Sequence, residues 1–141
     1  MKIILLISAL LACAFCGTLQ HKNGNDILSK LQGGTNEVYV VLFTAGNNKG
    51  DAIAKKNGEY EAALKGIQEK YPQFTYTTVN TADRNYDDLV DAVSIIRSEL
   101  EKSPSVLIMH QGNGEWIHGP QTISKIFEFA PAYLKRISAS G

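Results

Sequence analysis

Two cysteines, Cys13 and Cys16, are the residues whose type and spacing most directly suggest chemistry. A Cys-x-x-Cys pair supports dithiol exchange when a helix N-terminus lowers the pKa of one thiol. Here both cysteines lie inside an uncharged, mostly apolar run from Ile3 to Leu19, and the chain has no other cysteine. We therefore expect no dithiol-exchange, peroxidase or reductase chemistry from the part of the chain that follows this run.

The apolar run itself has the layout of a secretory signal. A single lysine precedes it, and small residues permit cleavage after Ala14 or after Cys16, which predicts a signal peptide over residues 1–16. Two alternatives stay open. The run is also at the short end of what spans a bilayer, as an uncleaved signal-anchor helix would. Cys13 could instead be acylated, as in a bacterial lipoprotein.

The rest of the chain is long enough for one domain with a substantial core. We expect a linker at residues 17–24 and the domain at residues 25–138. The whole chain carries 14 Lys+Arg and 14 Asp+Glu, a balance that draws it neither to nucleic acid nor to an anionic membrane surface. The signal predicts the secretory pathway, either the endoplasmic reticulum lumen or secretion, or membrane anchoring if the leader is retained.

Periodicity divides the domain into alternating helices and strands. The uncharged apolar run at Val38–Phe43 predicts a strand buried on both faces. Asn85 is expected to cap a long helix, because it precedes two acidic residues and a helical stripe. The full predicted order is a helix ending at Leu31, strand Val38–Phe43, a helix ending at Tyr71, strand Phe74–Val79, a helix with stripe Leu89, Val93, Ile96 and Leu100, strand Val106–Met109, strand Glu115–His118 and a helix starting at Gly119-Pro120.

The last two strands are expected to form a hairpin with Asn113-Gly114 as its two-residue turn. That register places His110 and His118 on opposite faces, so a metal shared by the two histidines is not expected. Trp116 is expected either to fill the core beneath the last helix or to stand at a binding surface. Pro131 is expected to kink or break that helix.

The stretch from Ser103 to Gly119 joins a proline, an apolar strand, a glycine-containing turn, a second strand and a glycine before the last helix. This order resembles the thioredoxin family, and the resemblance extends from Val38 to Tyr133. It implies a three-layer α/β/α sandwich with a central mixed sheet, here preceded by a hydrophobic leader helix. It also implies that Pro104 is the family's cis-proline, beside which relatives hold extended peptide backbone.

The chain departs from that family where the redox pair belongs, after the first strand. It carries Gly46-Asn47-Asn48-Lys49-Gly50-Asp51, which has no thiol and lacks the spacing of a P-loop. A second polar segment, Asp83 to Asp88, lacks the glycine and the final glutamate of a calcium loop. The first segment is therefore interpreted as a solvated loop, and the second as a helix cap.

Together these observations predict a non-catalytic thioredoxin-like module that binds a protein partner or client polypeptide, or serves as an accessory subunit of a membrane assembly. No cofactor and no metal are expected. The alternative is an enzyme or small-anion-binding protein that uses non-thiol residues of the Gly46–Asp51 loop. The candidate binding residues are Gly46, Asn47, Asn48, Lys49, Ser103 and Pro104.

Overall fold

The computed structural model describes residues 17–139. The predicted leader, including Cys13 and Cys16, lies outside the described residues. Among those described, no helix is both long and apolar enough to cross a membrane. The elements are α1 Gly24–Leu31, β1 Val38–Thr44, a 3₁₀ turn Asn47–Lys49, α2 Asp51–Lys70, β2 Thr75–Asn80, a 3₁₀ turn Arg84–Tyr86, α3 Asp87–Ala92, α4 Arg97–Leu100, β3 Ser105–His110, β4 Asn113–Ile117 and α5 Thr122–Ala139.

The four strands form one mixed sheet in the order β2-β1-β3-β4. Strand β1 pairs in parallel with β2 and antiparallel with β3, and β4 returns antiparallel to β3. Every residue of β1 is buried, as its uncharged β-branched and aromatic sequence predicts for a strand covered on both faces. The parallel β1–β2 pair requires the crossover that α2 supplies.

Helices cover both faces of the sheet. One face packs against α2 and α5, whose buried residues Ile67, Ile126 and Tyr133 join the side chains of β1 and β3 in a single cluster. The other face packs against α1, α3 and α4, through residues such as Ile27 and Leu89. This arrangement confirms the predicted three-layer sandwich with a central mixed sheet.

The predicted long helix after Asn85 was wrong. The chain forms a 3₁₀ turn and the short helix α3, then breaks at Ser94, whose φ is 59°. The backbone N–H of Ile95 bonds to the carbonyl of Val90, which closes α3 one turn before the apolar stripe ends. The break rotates Ile96 outward, where it is 52% exposed, while Leu100 on α4 stays fully buried.

The predicted hairpin turn was also wrong by two residues. The turn is formed by Gln111 and Gly112, whose φ values of 49° and 80° are those of a type I′ turn. Residues Asn113 and Gly114 belong instead to β4, with His110 opposite Asn113. The two-residue shift preserves alternation along the strand, so His110 and the position of His118 still face opposite sides of the sheet.

The last helix starts at Thr122 and continues through Pro131, so the helix does not break there. A residue other than proline at position 131 would donate its backbone N–H to the carbonyl of Phe127. Both Pro131 and Phe127 are exposed to solvent. Water can therefore satisfy the carbonyl that the proline leaves without an N–H partner. The proline costs one backbone hydrogen bond but does not end the helix.

The segment 17–24, expected to be a linker, lies against the domain. Gly17 and Leu19 exchange backbone hydrogen bonds with Tyr76 of β2. The carboxamide of Asn23 accepts a hydrogen bond from the backbone of Asp26 and caps α1. Residues Gly17 to Asn23 are therefore in contact with the domain in the described part of the chain.

The hairpin correction leads to a stability prediction. A Cβ added to Gly114 would overlap with the carbonyl oxygen of Ile108, whereas one added to Gly112 would meet nothing within 4 Å. We expect Gly114→Ala to lower the free energy of unfolding by about 1–3 kcal/mol or more, through overpacking. Gly112→Ala should cost about 1–2 kcal/mol, the strain of a left-handed residue. Urea denaturation of the two variants would contradict the account if Gly112→Ala were the more damaging.

Candidate functional site

The segments singled out in the sequence meet at one end of the sheet. The loop Gly46–Asp51 follows the carboxyl end of β1, and Thr81 follows the carboxyl end of β2. Because β3 runs antiparallel to β1, Ser103 and Pro104 enter the sheet at this same end. Clefts outside the carboxyl ends of parallel strands are common ligand sites in α/β folds.

The loop after β1 has a backbone that depends on its glycines. Gly46 and Gly50 have φ values of 84° and 122°, and the single turn Asn47–Lys49 between them is exposed. A Cβ on Gly46 would lie 2.8 Å from Oδ1 of Asn80, so the loop can approach the end of β2 only with glycine there.

Asn57, on the first half of α2, holds the Gly46–Asp51 loop through side-chain hydrogen bonds. It is 2% exposed, and its Nδ2 donates to the carbonyl of Gly46 at 3.2 Å and to Oδ1 of Asn47 at 2.9 Å. Its own Oδ1 has no hydrogen-bond partner among the described residues. The sequence analysis missed this residue, although its place four positions after the buried Ile53 on α2 is a signal that could have identified it.

Two lysines join the loop and α2 to the segment before β3. Lys49 pairs with Glu101 at 3.3 Å, and Nζ of Lys56 donates to the carbonyl of Lys102 at 3.1 Å. Both members of the ion pair are about half exposed, so the pair is worth roughly 0–1 kcal/mol. The contacts nevertheless hold the candidate residues Lys49 and Ser103 on neighbouring segments.

The peptide bond between Ser103 and Pro104 is trans, as are all peptide bonds in the described residues 17–139. The cis bond implied by the resemblance was therefore wrong. The chain reverses before it reaches Pro104, because α4 and the turn after it bring the N–H of Ser103 onto the carbonyl of Glu99 at 3.2 Å. That N–H is consequently engaged within the domain, and Pro104 is buried.

An open groove of about 590 Å³ lies beside the loop. Arg97 forms one wall, where its Nη1 donates to the carbonyl of Thr81 and its Nη2 to Oδ1 of Asp87, both at 2.7 Å. Arg84, 93% exposed, lies at the rim. The lining residues are Ala45, Lys49, Thr81, Ala82, Arg84, Asp87, Asp91, Arg97 and Glu101.

The charges that line the groove balance, with three cations and three carboxylates. Arg97 and Lys49 are paired with Asp87 and Glu101, while no ion pair engages Asp91 among the described residues. Of the nine lining residues, only Lys49 was a candidate from the sequence. Arg97 and Glu101 reach the groove because the α3–α4 break returns the chain to Thr81 at the end of β2, and helical periodicity did not predict this break.

The histidines and the tryptophan lie away from the groove. Burial lowers the pKa of His110, whose Nε2 lies 2.8 Å from Oδ1 of Asn36. His118 stacks on Trp116 with ring centroids 4.2 Å apart. Trp116 packs on the α1–α3 face rather than beneath α5 and donates from Nε1 to Ser105, so the prediction that it fills the core under α5 was wrong. The described residues contain no cluster of three or more metal-binding side chains.

Two solved structures are similar to this one. Thioredoxin O2 from Arabidopsis thaliana, crystallised in the oxidized state, has a TM-score of 0.63 and 15% sequence identity over 84% of this chain and 96% of its own. A designed protein has a TM-score of 0.59 and 19% identity over 84% of this chain and 91% of its own. No protein-family model and no curated protein sequence matches the chain. The chain therefore has a thioredoxin-like fold, and identities this low establish the fold alone.

The groove wall leads to a second stability prediction. Arg97→Gln removes two charge-assisted hydrogen bonds, one of them to a backbone carbonyl, and should lower the free energy of unfolding by about 1–3 kcal/mol. Arg84→Gln is the matched control, since its exposed side chain should contribute within about 0.5 kcal/mol. Equal losses for the two variants in chemical denaturation would mean that Arg97 does not hold the wall.

Proposed function

We propose that this chain is a non-catalytic protein-binding module that recognises a partner polypeptide at the end of the sheet formed by the Gly46–Asp51 loop, the groove and the Ser103–Pro104 segment. The observation that carries the proposal is the groove itself. The groove lies beside the Gly46–Asp51 loop, which contains no cysteine. Asn57 and Arg97 hold its walls through hydrogen bonds to backbone carbonyls. Preformed walls reduce the ordering cost of binding.

The charges of this end favour a polypeptide over a small anion. An anion site built on the cations of the groove would require them to be free, yet Lys49 is paired with Glu101, and both Arg97 and Arg84 are paired with Asp87. A groove with three cations and three carboxylates instead complements a surface that presents both signs. Ile96, which precedes Arg97 in the chain, is 52% exposed and offers an apolar side chain for contact with a partner.

The leader supports a place for this module in the secretory pathway, either in the lumen of the endoplasmic reticulum or outside the cell. If the leader is retained, the same groove would serve an accessory subunit of a membrane assembly. Neither version involves thiol chemistry of the domain, because both cysteines of the chain precede Gly17.

The test is site-specific photocrosslinking from two positions of the full chain in its native source. A photoreactive residue at Asn48 should crosslink to a partner polypeptide, whereas one at Gln111, at the opposite end of the sheet, should not. A photoreactive residue at Arg84 should crosslink to the same partner. Replacing Asn47–Lys49 by Gly-Ser-Gly should abolish that crosslink. Crosslinks obtained only from Gln111 would show that the chain binds through its other end.

Titration with inorganic phosphate separates the alternative function. Under the proposed function, millimolar phosphate should leave the amide resonances of Gly46 to Asp51 unchanged. Saturable shifts confined to those amides would support the small-anion alternative instead, because helix N-termini bind anions through backbone N–H groups.

A redox assay tests the absence of dithiol chemistry. Neither the full chain nor a chain starting at Gly17 should accelerate insulin reduction by dithiothreitol, since no cysteine follows Cys16. Turnover by the chain that starts at Gly17 would contradict the non-catalytic proposal. An authentic thioredoxin is the positive control.

A further inference from the structure

The outer edge of β2 carries a resident strand from the start of the described chain. The backbone N–H of Tyr76 donates to the carbonyl of Gly17 at 3.0 Å, and the N–H of Leu19 donates to the carbonyl of Tyr76 at 3.0 Å. These two bonds form a single parallel bridge between Thr18 and Tyr76. The resident strand, residues Gly17–Leu19, therefore covers one residue of an edge that is six residues long.

Side chains hold the resident strand on both faces of the sheet. Nε2 of Gln68 donates to the carbonyl of Gly17 at 2.9 Å. Leu19 is partly buried against the cluster under α1 and α3, while Thr18 is exposed on the α2 side. The side chains of this segment therefore alternate as in a β-strand, with Leu19 turned toward the core and Thr18 toward solvent.

After Leu19 the chain leaves the edge and is fastened by His21. Its Nε2 lies 2.5 Å from Oγ1 of Thr77, and its Nδ1 lies 2.7 Å from the hydroxyl of Tyr86. The imidazole also meets the Tyr86 ring edge-on at 5.4 Å. A single side chain therefore fixes the end of the resident strand to both β2 and the turn before α3.

The edge continues beyond the part that the resident strand covers. Thr78 is exposed, its backbone faces the same edge as that of Tyr76, and no described residue pairs with it there. A groove of about 350 Å³ lies beside it between α2 and β2, lined by Thr18, Glu61, Leu64, Lys65, Gln68, Tyr76, Thr77 and Thr78. A longer strand would find room and backbone partners that the chain's own segment leaves unused.

We propose that the outer edge of β2 is a strand-addition site for an extended peptide, closed at neutral pH by the chain's own Gly17–Leu19 and opened when His21 is protonated. The peptide takes the path of the resident strand and continues to Thr78. It carries an apolar residue in the place of Leu19 and polar residues on the side of Glu61 and Lys65. Backbone hydrogen bonds supply the affinity in this mode of recognition, and alternate side chains supply the specificity.

The direction of the pH effect follows from the surroundings of His21. Burial lowers its pKa, and the charge of Asp26 on α1 offsets only part of that effect. Tyr86 faces the ring as a neutral hydroxyl, with Asp83 nearby, and Lys22 is the adjacent cation. In the open state the imidazole regains its ordinary pKa near 6.5, so it binds protons more readily than in the closed state. The closed state is therefore favoured fully above that pH and loses its advantage as the pH falls below it.

Hydrogen exchange at Tyr76 reports the opening directly. In the full chain, the protection of this amide, corrected for intrinsic exchange rates, should fall between pH 7.5 and pH 5.5, by up to about tenfold for each unit by which the pKa is lowered. His21→Gln keeps a side chain that can bond both hydroxyls but cannot titrate, so its protection should not change with pH. His118→Gln, which lies next to β4 at the opposite edge of the sheet, is the matched control and should respond as the wild type does.

A labelled peptide tests the site itself. Fluorescein-labelled Gly-Thr-Leu-Thr-Val-Thr should bind the full chain more tightly at pH 5.5 than at pH 7.5, by the same factor as the loss of Tyr76 protection, and the same peptide with aspartate in place of leucine should bind at neither pH. Equal protection of Tyr76 at both pH values would overturn the proposal, as would a His21→Gln variant that keeps the full pH response. Failure of the leucine peptide to bind the wild-type chain at pH 5.5 would also overturn it. The photocrosslinks from Asn48 do not depend on any of these results, since that residue lies at the carboxyl end of the sheet.

Discussion

The burial of strand β1 is the constraint on which the rest of the molecule depends. Its seven residues are inaccessible on both faces, so both layers of helices must be present before the strand is stable. Its parallel neighbour β2 requires the α2 crossover, and its antiparallel neighbour β3 returns the chain to the same end of the sheet. The loop after β1, the groove and the Ser103–Pro104 segment are therefore neighbours because of how this one strand is paired.

Polar side chains that bond to backbone carbonyls convert that scaffold into a defined site. Asn57 holds the carbonyl of Gly46, Arg97 holds that of Thr81 and Lys56 holds that of Lys102. Two of these bonds link loops to α2, and the third links the end of β2 to α4. Such bonds set loop geometry without contributing apolar burial, and each of them contributes roughly 0.5–3 kcal/mol. The site is thus shaped mainly by directional contacts made around the apolar sheet.

The sequence was informative where one pattern dominated and misleading where two patterns competed. The apolar run at Val38 predicted a buried strand, and the order of elements, through its resemblance to the thioredoxin family, predicted the three-layer arrangement. The apolar spacing from Leu89 to Leu100 fits one long helix, but it also fits the two short helices that the chain forms. The left-handed residue Ser94 lies between them, and Leu100 still points into the core. In the hairpin, Asn113-Gly114 matched a favoured turn, yet Gln111-Gly112 adopts the same geometry and also matches the strand lengths. Residues of the groove such as Arg97 could not be identified, because their positions depend on that break.

The brevity of α4 has a consequence for how the groove wall behaves. Four residues make a single helical turn, which has no stability of its own in water. The wall persists only while Leu100 stays inserted in the core and Arg97 stays bonded to Thr81. The turn is therefore maintained by these two contacts rather than by its own helical propensity. A partner of the proposed kind would bind only those molecules in which this turn is formed, so its apparent affinity would follow that fraction.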